Sequence, residues 1–125
     1  MSAVKDTDQE MLDKHVNHIV AQLECTDTAW REDYLESKLE DDSEATIEDV
    51  GAYDYLDDVL DIEYIVNSKR EYLGARVLVA FGGPNIWINT RQGIVEGYWW
   101  GTKSIRSFED KLGIDDILQE YWECT

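Results

Sequence analysis

Residues 73–100 read LGARVLVAFGGPNIWINTRQGIVEGYWW. Leu73 to Phe81 is an apolar, Val- and Leu-rich run of strand length, ended by Gly82-Gly83-Pro84, three residues that favour a turn. Asn85–Asn89 and Ile94–Trp100 read as two further strands joined through Thr90-Arg91-Gln92-Gly93. Upstream, from Asp61, the apolar period is also two: Ile62, Tyr64 and Val66 alternate with Glu63, Ile65 and Asn67, and Ser68-Lys69-Arg70-Glu71 supplies the turn. Four consecutive strands with short connections predict an antiparallel meander, because hairpin turns join antiparallel neighbours. Leu78, Phe81, Ile86, Ile88 and one of Trp99 or Trp100 are its expected core residues, since adjacent residues of a strand face opposite sides.

The flanks of the meander carry helical periods. Leu12, Val16, Ile19, Val20 and Leu23 recur at helical spacing between about Thr7 and Glu24, with Asp8, Glu10 and Asp13 towards the end where the helix dipole favours anions. Thr26 or Asp27 can cap a second helix reaching about Glu40, whose apolar side is Trp30, Tyr34, Leu35 and Leu39. EDDSEAT at 40–46 breaks the pattern, and a third helix, about Asp49 to Leu60, gathers Ala52, Tyr55, Leu56 and Val59 in one arc. Ser107 with Asp110 reads as a capping box opening a C-terminal helical segment that Gly113 divides before Ile117, Leu118 and Tyr121. The expected architecture is α+β in the order αααββββα, N-terminal helices packed on one face of a four-stranded antiparallel meander, with a C-terminal helix.

The 125 residues fit a single domain, 1–125, in which 1–63 is an acidic helical half and 64–125 the meander plus last helix. With 5 Trp, 7 Tyr and 2 Phe the chain holds enough apolar material to offset ordering entropy, unlike a disordered acidic tail. The N-terminus, MSAVKDTDQEMLDKHV, has no basic stretch leading into an apolar run, and no run of about 18 apolar residues occurs. A soluble protein of the bacterial cytoplasm, with no membrane partner, is the expectation. Cys25 and Cys124 match no paired metal spacing and make no disulfide framework, so reduced thiols are expected.

Charge is segregated along this chain. Residues 1–63 carry 20 Asp and Glu against 4 Lys and Arg, whereas residues 64–125 carry 8 against 7. Charge packed so densely repels itself and costs stability, which draws attention to what the surface meets. On the second helix Glu32, Glu36 and Glu40 stand four apart with Asp33 beside them; on the third, Asp54, Asp57, Asp58 and Asp61 fall at i, i+3, i+4 and i+7. Like charges at i,i+4 destabilise a helix by about 0.2–0.5 kcal/mol per pair. Four charges over eight helical residues give one per roughly 3 Å, and two adjacent stripes about one per 1.5 Å. B-DNA presents one per roughly 1.7 Å of axis. The comparable densities make a nucleic-acid mimic physically credible; the plainer reading is a solvated face that promotes solubility.

Other uses of these residues fit less well. DDSEATIEDVG lacks the ligand order of a calcium loop, and His15 and His18, three apart, have no Cys or HExxH partner to complete a metal set, so neither metal nor cofactor is expected. Gly82-Gly83 lacks the GK[ST] ending of a phosphate cradle. Carboxylate pairs abound, yet they lie on predicted solvent faces with nothing to raise one pKa, and no Ser or Cys stands beside a credible base. An enzyme is the weaker class. Trp87, Tyr98, Trp99 and Trp100 with Arg76, Arg91, Lys103 and Arg106 could stack bases or sugars, or pack under helices.

In size and acidity the chain resembles the small acidic anti-defence proteins of phages and conjugative elements, the DNA-mimic antirestriction and anti-CRISPR proteins. The segment YLGARVLVAFGGPNIWINT through VEGYWWG at 72–101 resembles uncharacterised proteins of bacterial mobile elements. Neither resemblance assigns a role to a residue. The first implies a non-enzymatic inhibitor whose partner is a basic nucleic-acid-binding protein, a CRISPR effector or restriction enzyme, with no direct contact to nucleic acid. Its expected contact residues are Glu32, Asp33, Glu36, Glu40, Asp54, Asp57, Asp58 and Asp61. The alternative is a general interaction or scaffold module using the Trp-rich sheet, its acidity serving solubility.

Overall fold

In the computed structural model, which describes residues 2–38 and 46–125, the alternating segments form a five-stranded antiparallel sheet rather than four strands. The strands are β1 (Asp61–Val66), β2 (Tyr72–Ala80), β3 (Asn85–Asn89), β4 (Ile94–Trp99) and β5 (Thr102–Ser107), in spatial order β1-β2-β3-β4-β5. Register fixes the two faces: Val77 pairs with Ile88, Ile88 with Val95, Ile86 with Gly97 and Gly97 with Ser104. Val77, Ile86, Ile88, Val95 and Ser104 of this face are all buried. On the opposite face Asp61, Leu78, Trp87, Glu96 and Ile105 form one row across all five strands.

Among the described residues four helices accompany the sheet: α1 (Ser2–Leu23), α2 (Ala29–Lys38), α3 (Ala52–Asp57) and α4 (Ile114–Glu123), with a 3₁₀ turn at Ile47–Asp49 before α3. Leu12, Val16 and Leu23 of α1 are fully buried, and α1 lies across β4 and β5. Gly97 allows that approach, for a Cβ there would come within 2.6 Å of Val16 Cγ2 and 2.9 Å of Leu12 Cδ1. Cys25, at φ 62°, turns the chain after α1, and Asp27 Oδ1 accepts the Ala29 N–H at 3.1 Å to cap α2. α4 covers β2, and its Trp122 ring lies 5.4 Å from that of Tyr64 on β1. One apolar cluster joins residues of α1, α3, α4 and strands β2 to β4.

Three expectations are corrected. β5 occupies TKSIRS, which sequence reading assigned to no element, and Ser107 ends that strand instead of capping a helix. Asp110 is the cap: its carboxylate accepts the N–H groups of Gly113, Ile114 and Asp115, each at 2.9 Å, and Gly113 (φ 84°) precedes α4 rather than dividing it. Phe81 and Leu78 are not core. β2 ends at Ala80, which pairs with Ile86 beyond a register shift after Leu78, leaving Phe81 in the turn and 73% exposed, while Leu78 is half-buried on the outer face opposite Trp87. Ile86 and Ile88 are buried as expected. Of the tandem tryptophans, Trp99 is half-buried against Gly83, whereas Trp100 turns into the β4–β5 connection at φ 48° and is 89% exposed.

Candidate functional site

Among the described residues, two helices carry an aromatic residue followed three positions later by aspartate: Trp30 with Asp33 on α2, and Tyr55 with Asp58 on and just after α3. Residues three apart share a helix face, and the fold sets these two faces against each other. The Trp30 and Tyr55 rings meet edge to face, centroids 5.1 Å apart at 81°, a favoured aromatic geometry. Between them opens a groove of about 320 Å³ with Val79 of β2 among its lining residues. Asp33 and Tyr34 enter it from α2, Asp58 and Val59 from the end of α3, and Ile19 from α1. The Tyr55 hydroxyl donates to Gln22 Oε1 of α1 at 2.9 Å, which fixes one wall. Burial raises the pKa of Tyr55 far above the ordinary phenol value.

The groove is strongly electronegative. Burial and then the neighbouring Asp54 carboxylate raise the pKa of the Tyr34 hydroxyl, with the charges of Asp57 and Asp58 adding to the shift. Among the described residues none of Asp33, Asp54, Asp57 or Asp58 forms an ion pair with a Lys, Arg or His. Arg31 lies over the Trp30 ring, 5.7 Å from its centroid, and is held there by donating to the Ile47 carbonyl at 3.5 Å and towards Cys25 Sγ at 3.4 Å. Its Nε and the Trp30 Nε1 are buried without a hydrogen-bond partner among the described residues. Both cysteines are free thiols.

Of the eight expected contact residues, the structure puts Asp33 and Asp58 in the groove lining and Asp54 and Asp57 near enough for their charges to act on the Tyr34 hydroxyl. The other positions separate. Glu32 and Glu36 are exposed on α2 away from the Trp30, Asp33, Tyr34 and Ser37 face. The expected four-residue stripe on the third helix is shorter than its spacing implies: α3 ends at Asp57, Asp58 is its cap, and Asp61 opens β1 opposite Leu78 on the outer sheet face. Glu40 lies outside the described residues. Sequence reading treated Trp30, Tyr34 and Tyr55 as apolar-face residues and missed that they line the site; the repeated aromatic-x-x-Asp spacing was the available signal.

The aromatic sheet surface is arranged differently from a stacking platform. Arg76 sits over the Trp87 ring at 4.3 Å and approaches Glu63 at 3.5 Å and Glu96 at 3.7 Å, while the Tyr98 hydroxyl donates to Glu96 at 2.8 Å. That network occupies the ring face of Trp87. Phe81 and Trp100 stand out instead at the β2–β3 and β4–β5 turns, and Trp100 borders a second hollow lined also by Gly83, Tyr98 and Trp99. His18 Nδ1 lies 3.1 Å from Asp27, and among the described residues no group of three or more His, Cys, Asp or Glu is placed to hold a metal ion. No helix of the described residues is long and apolar enough to cross a membrane. Compared with protein-family models, curated proteins and solved structures, the chain matches none.

Proposed function

We propose that this protein is a non-enzymatic inhibitor of a nucleic-acid-binding bacterial defence protein, a CRISPR effector or a restriction enzyme, and that it acts as an acidic DNA mimic in the host cytoplasm. The observation that carries the reading is a groove lined by Asp33, Tyr34 and Asp58, with Asp54 and Asp57 close by, in which none of the four carboxylates has an ion-pair partner among the described residues. Uncompensated carboxylates at close quarters cost folding energy and suit a surface whose counter-charges arrive on another molecule. A basic channel that holds phosphates at similar spacing supplies them, and occupancy then excludes the nucleic acid. The combined variant Glu36→Lys, Asp57→Lys and Asp58→Lys tests this. It keeps a normal circular dichroism spectrum and loses inhibition by at least tenfold; a folded triple variant that still inhibits fully rejects the mimic.

The exposure of Phe81 and Trp100 favours a second reading, a general interaction module of a mobile element that docks through the turn end of its sheet. Low-affinity binding to several unrelated basic proteins, lost on Trp100→Ala and retained in the triple variant, would select it.

A further inference from the structure

We infer that the groove between α1, α2 and α3 is a socket for a single arginine side chain of the partner protein; this rests on the proposed inhibitor reading and names the contact at its centre. Trp30, which already carries the chain's own Arg31 on its ring, packs edge to face with Tyr55 along one side of the groove, Tyr34 adds a third ring to the lining, and Asp33 and Asp58 bring carboxylates from two different elements to the same space. Aromatic faces attract a cation through their quadrupole, most strongly where water is excluded. A guanidinium does both things this lining asks for: its plane stacks on a ring while its edge donates paired hydrogen bonds to carboxylates. An ammonium is a strongly hydrated point charge that satisfies the carboxylates but not the walls. The volume, about 320 Å³, admits one arginine side chain, and two carboxylates exclude an anionic occupant such as a nucleotide. Buried Trp and Arg contacts dominate many interfaces, so one arginine seated here would anchor the complex while the exposed carboxylates of α2 steer it.

The test needs no partner protein. Acetyl-arginine N-methylamide is titrated into the full chain and followed by amide and aromatic NMR, beside the lysine and citrulline equivalents. Saturable shifts confined to Trp30, Asp33, Tyr34, Tyr55 and Asp58 are expected with the arginine compound, at least fivefold weaker binding with lysine, and none with citrulline, which has the same shape without the charge. Asp33→Asn with Asp58→Asn weakens binding by at least tenfold, whereas Glu32→Gln with Glu36→Gln, which removes as much charge from the exposed side of α2, changes it less than twofold. Equal response to citrulline or lysine, equal loss in the two double variants, or shifts spread over the whole acidic surface overturns the socket. Because the wild-type chain alone decides selectivity, a misfolded variant does not rescue the idea. Arginine binding without inhibition of any defence enzyme keeps the socket and removes the mimic; inhibition without arginine binding does the reverse.

Discussion

Asp13 shows how one side chain carries information that periodicity does not. A helix expected to begin at about Thr7 would put it near the dipole end, but α1 begins at Ser2 and leaves Asp13 at mid-helix, where its Oδ1 accepts from the buried Ser104 hydroxyl of β5 at 2.6 Å and from Gln9 Nε2 at 3.0 Å. Those hydrogen bonds, Ser104 first and Gln9 second, hold its pKa below the usual carboxylate value of 3.8. A carboxylate with a depressed folded pKa stabilises the fold above its unfolded pKa, and that contribution disappears as pH falls through the lower folded value. Ser104→Ala is therefore expected to cost about 1.5–3 kcal/mol at neutral pH, the range for a hydrogen bond to a charged group. The gap from wild type should narrow below pH 3.8, the ordinary value from which Asp13 is lowered. Urea midpoints for both proteins at pH 7 and pH 2 check this; an equal gap at the two pH values would mean that the ionised form of Asp13 is not what Ser104 stabilises.

At the scale of elements, strands with an apolar face were legible and the one without it was not. β3 and β4 announce themselves through Ile86, Ile88 and Val95, but β5 turns Ser104 to the helix layer and leaves Ile105 on the outer face. No apolar alternation exists there to read, because the partner of Ser104 is a carboxylate rather than a hydrocarbon. The α4 boundary was misplaced for a similar reason: Asp110 caps three N–H groups from a loop position, ahead of a left-handed Gly113. The layer contact gives two predictions. Gly97→Ala drives a methyl into Val16 and Leu12, both fully buried, and should cost about 1–3 kcal/mol by overpacking. Ile88→Ala, at a site of zero exposure, should cost about 2–5 kcal/mol through lost burial and a residual cavity. Denaturant midpoints measure both, and an unchanged midpoint for Ile88→Ala would contradict the sheet register.

Across the whole molecule, the charge asymmetry was plain in the sequence and its focus was not. Counting places the acidity in residues 1–63, but only the packing of α2 against α3 shows that Asp33 and Asp58 line one groove with Trp30, Tyr34 and Tyr55 while Glu32 and Glu36 lie outside it. With a net charge of −17, the folded chain repels itself and attracts a basic partner through the same field, so salt must act on the two in opposite directions. Raising sodium chloride from 0.05 to 0.5 M, about a threefold fall in screening length, should raise the melting temperature and weaken inhibition. An inhibitor that acts by occupancy also saturates near one equivalent, needs no metal or nucleotide, and loses ground when target nucleic acid is supplied first. Substoichiometric inactivation that grows with time would point to chemistry instead.

The bond between Asp13 and Ser104 spans 91 positions of sequence, and α1 rests on β4 and β5. The first of the described helices is thus completed by the last two of the described strands. Until β4 and β5 are in place, Leu12 and Val16 have no sheet to cover them, so the growing chain carries a bare apolar stripe until more than eighty further residues have followed. Its closing step is a long-range docking event, and long loop closures slow folding more than they weaken the folded state.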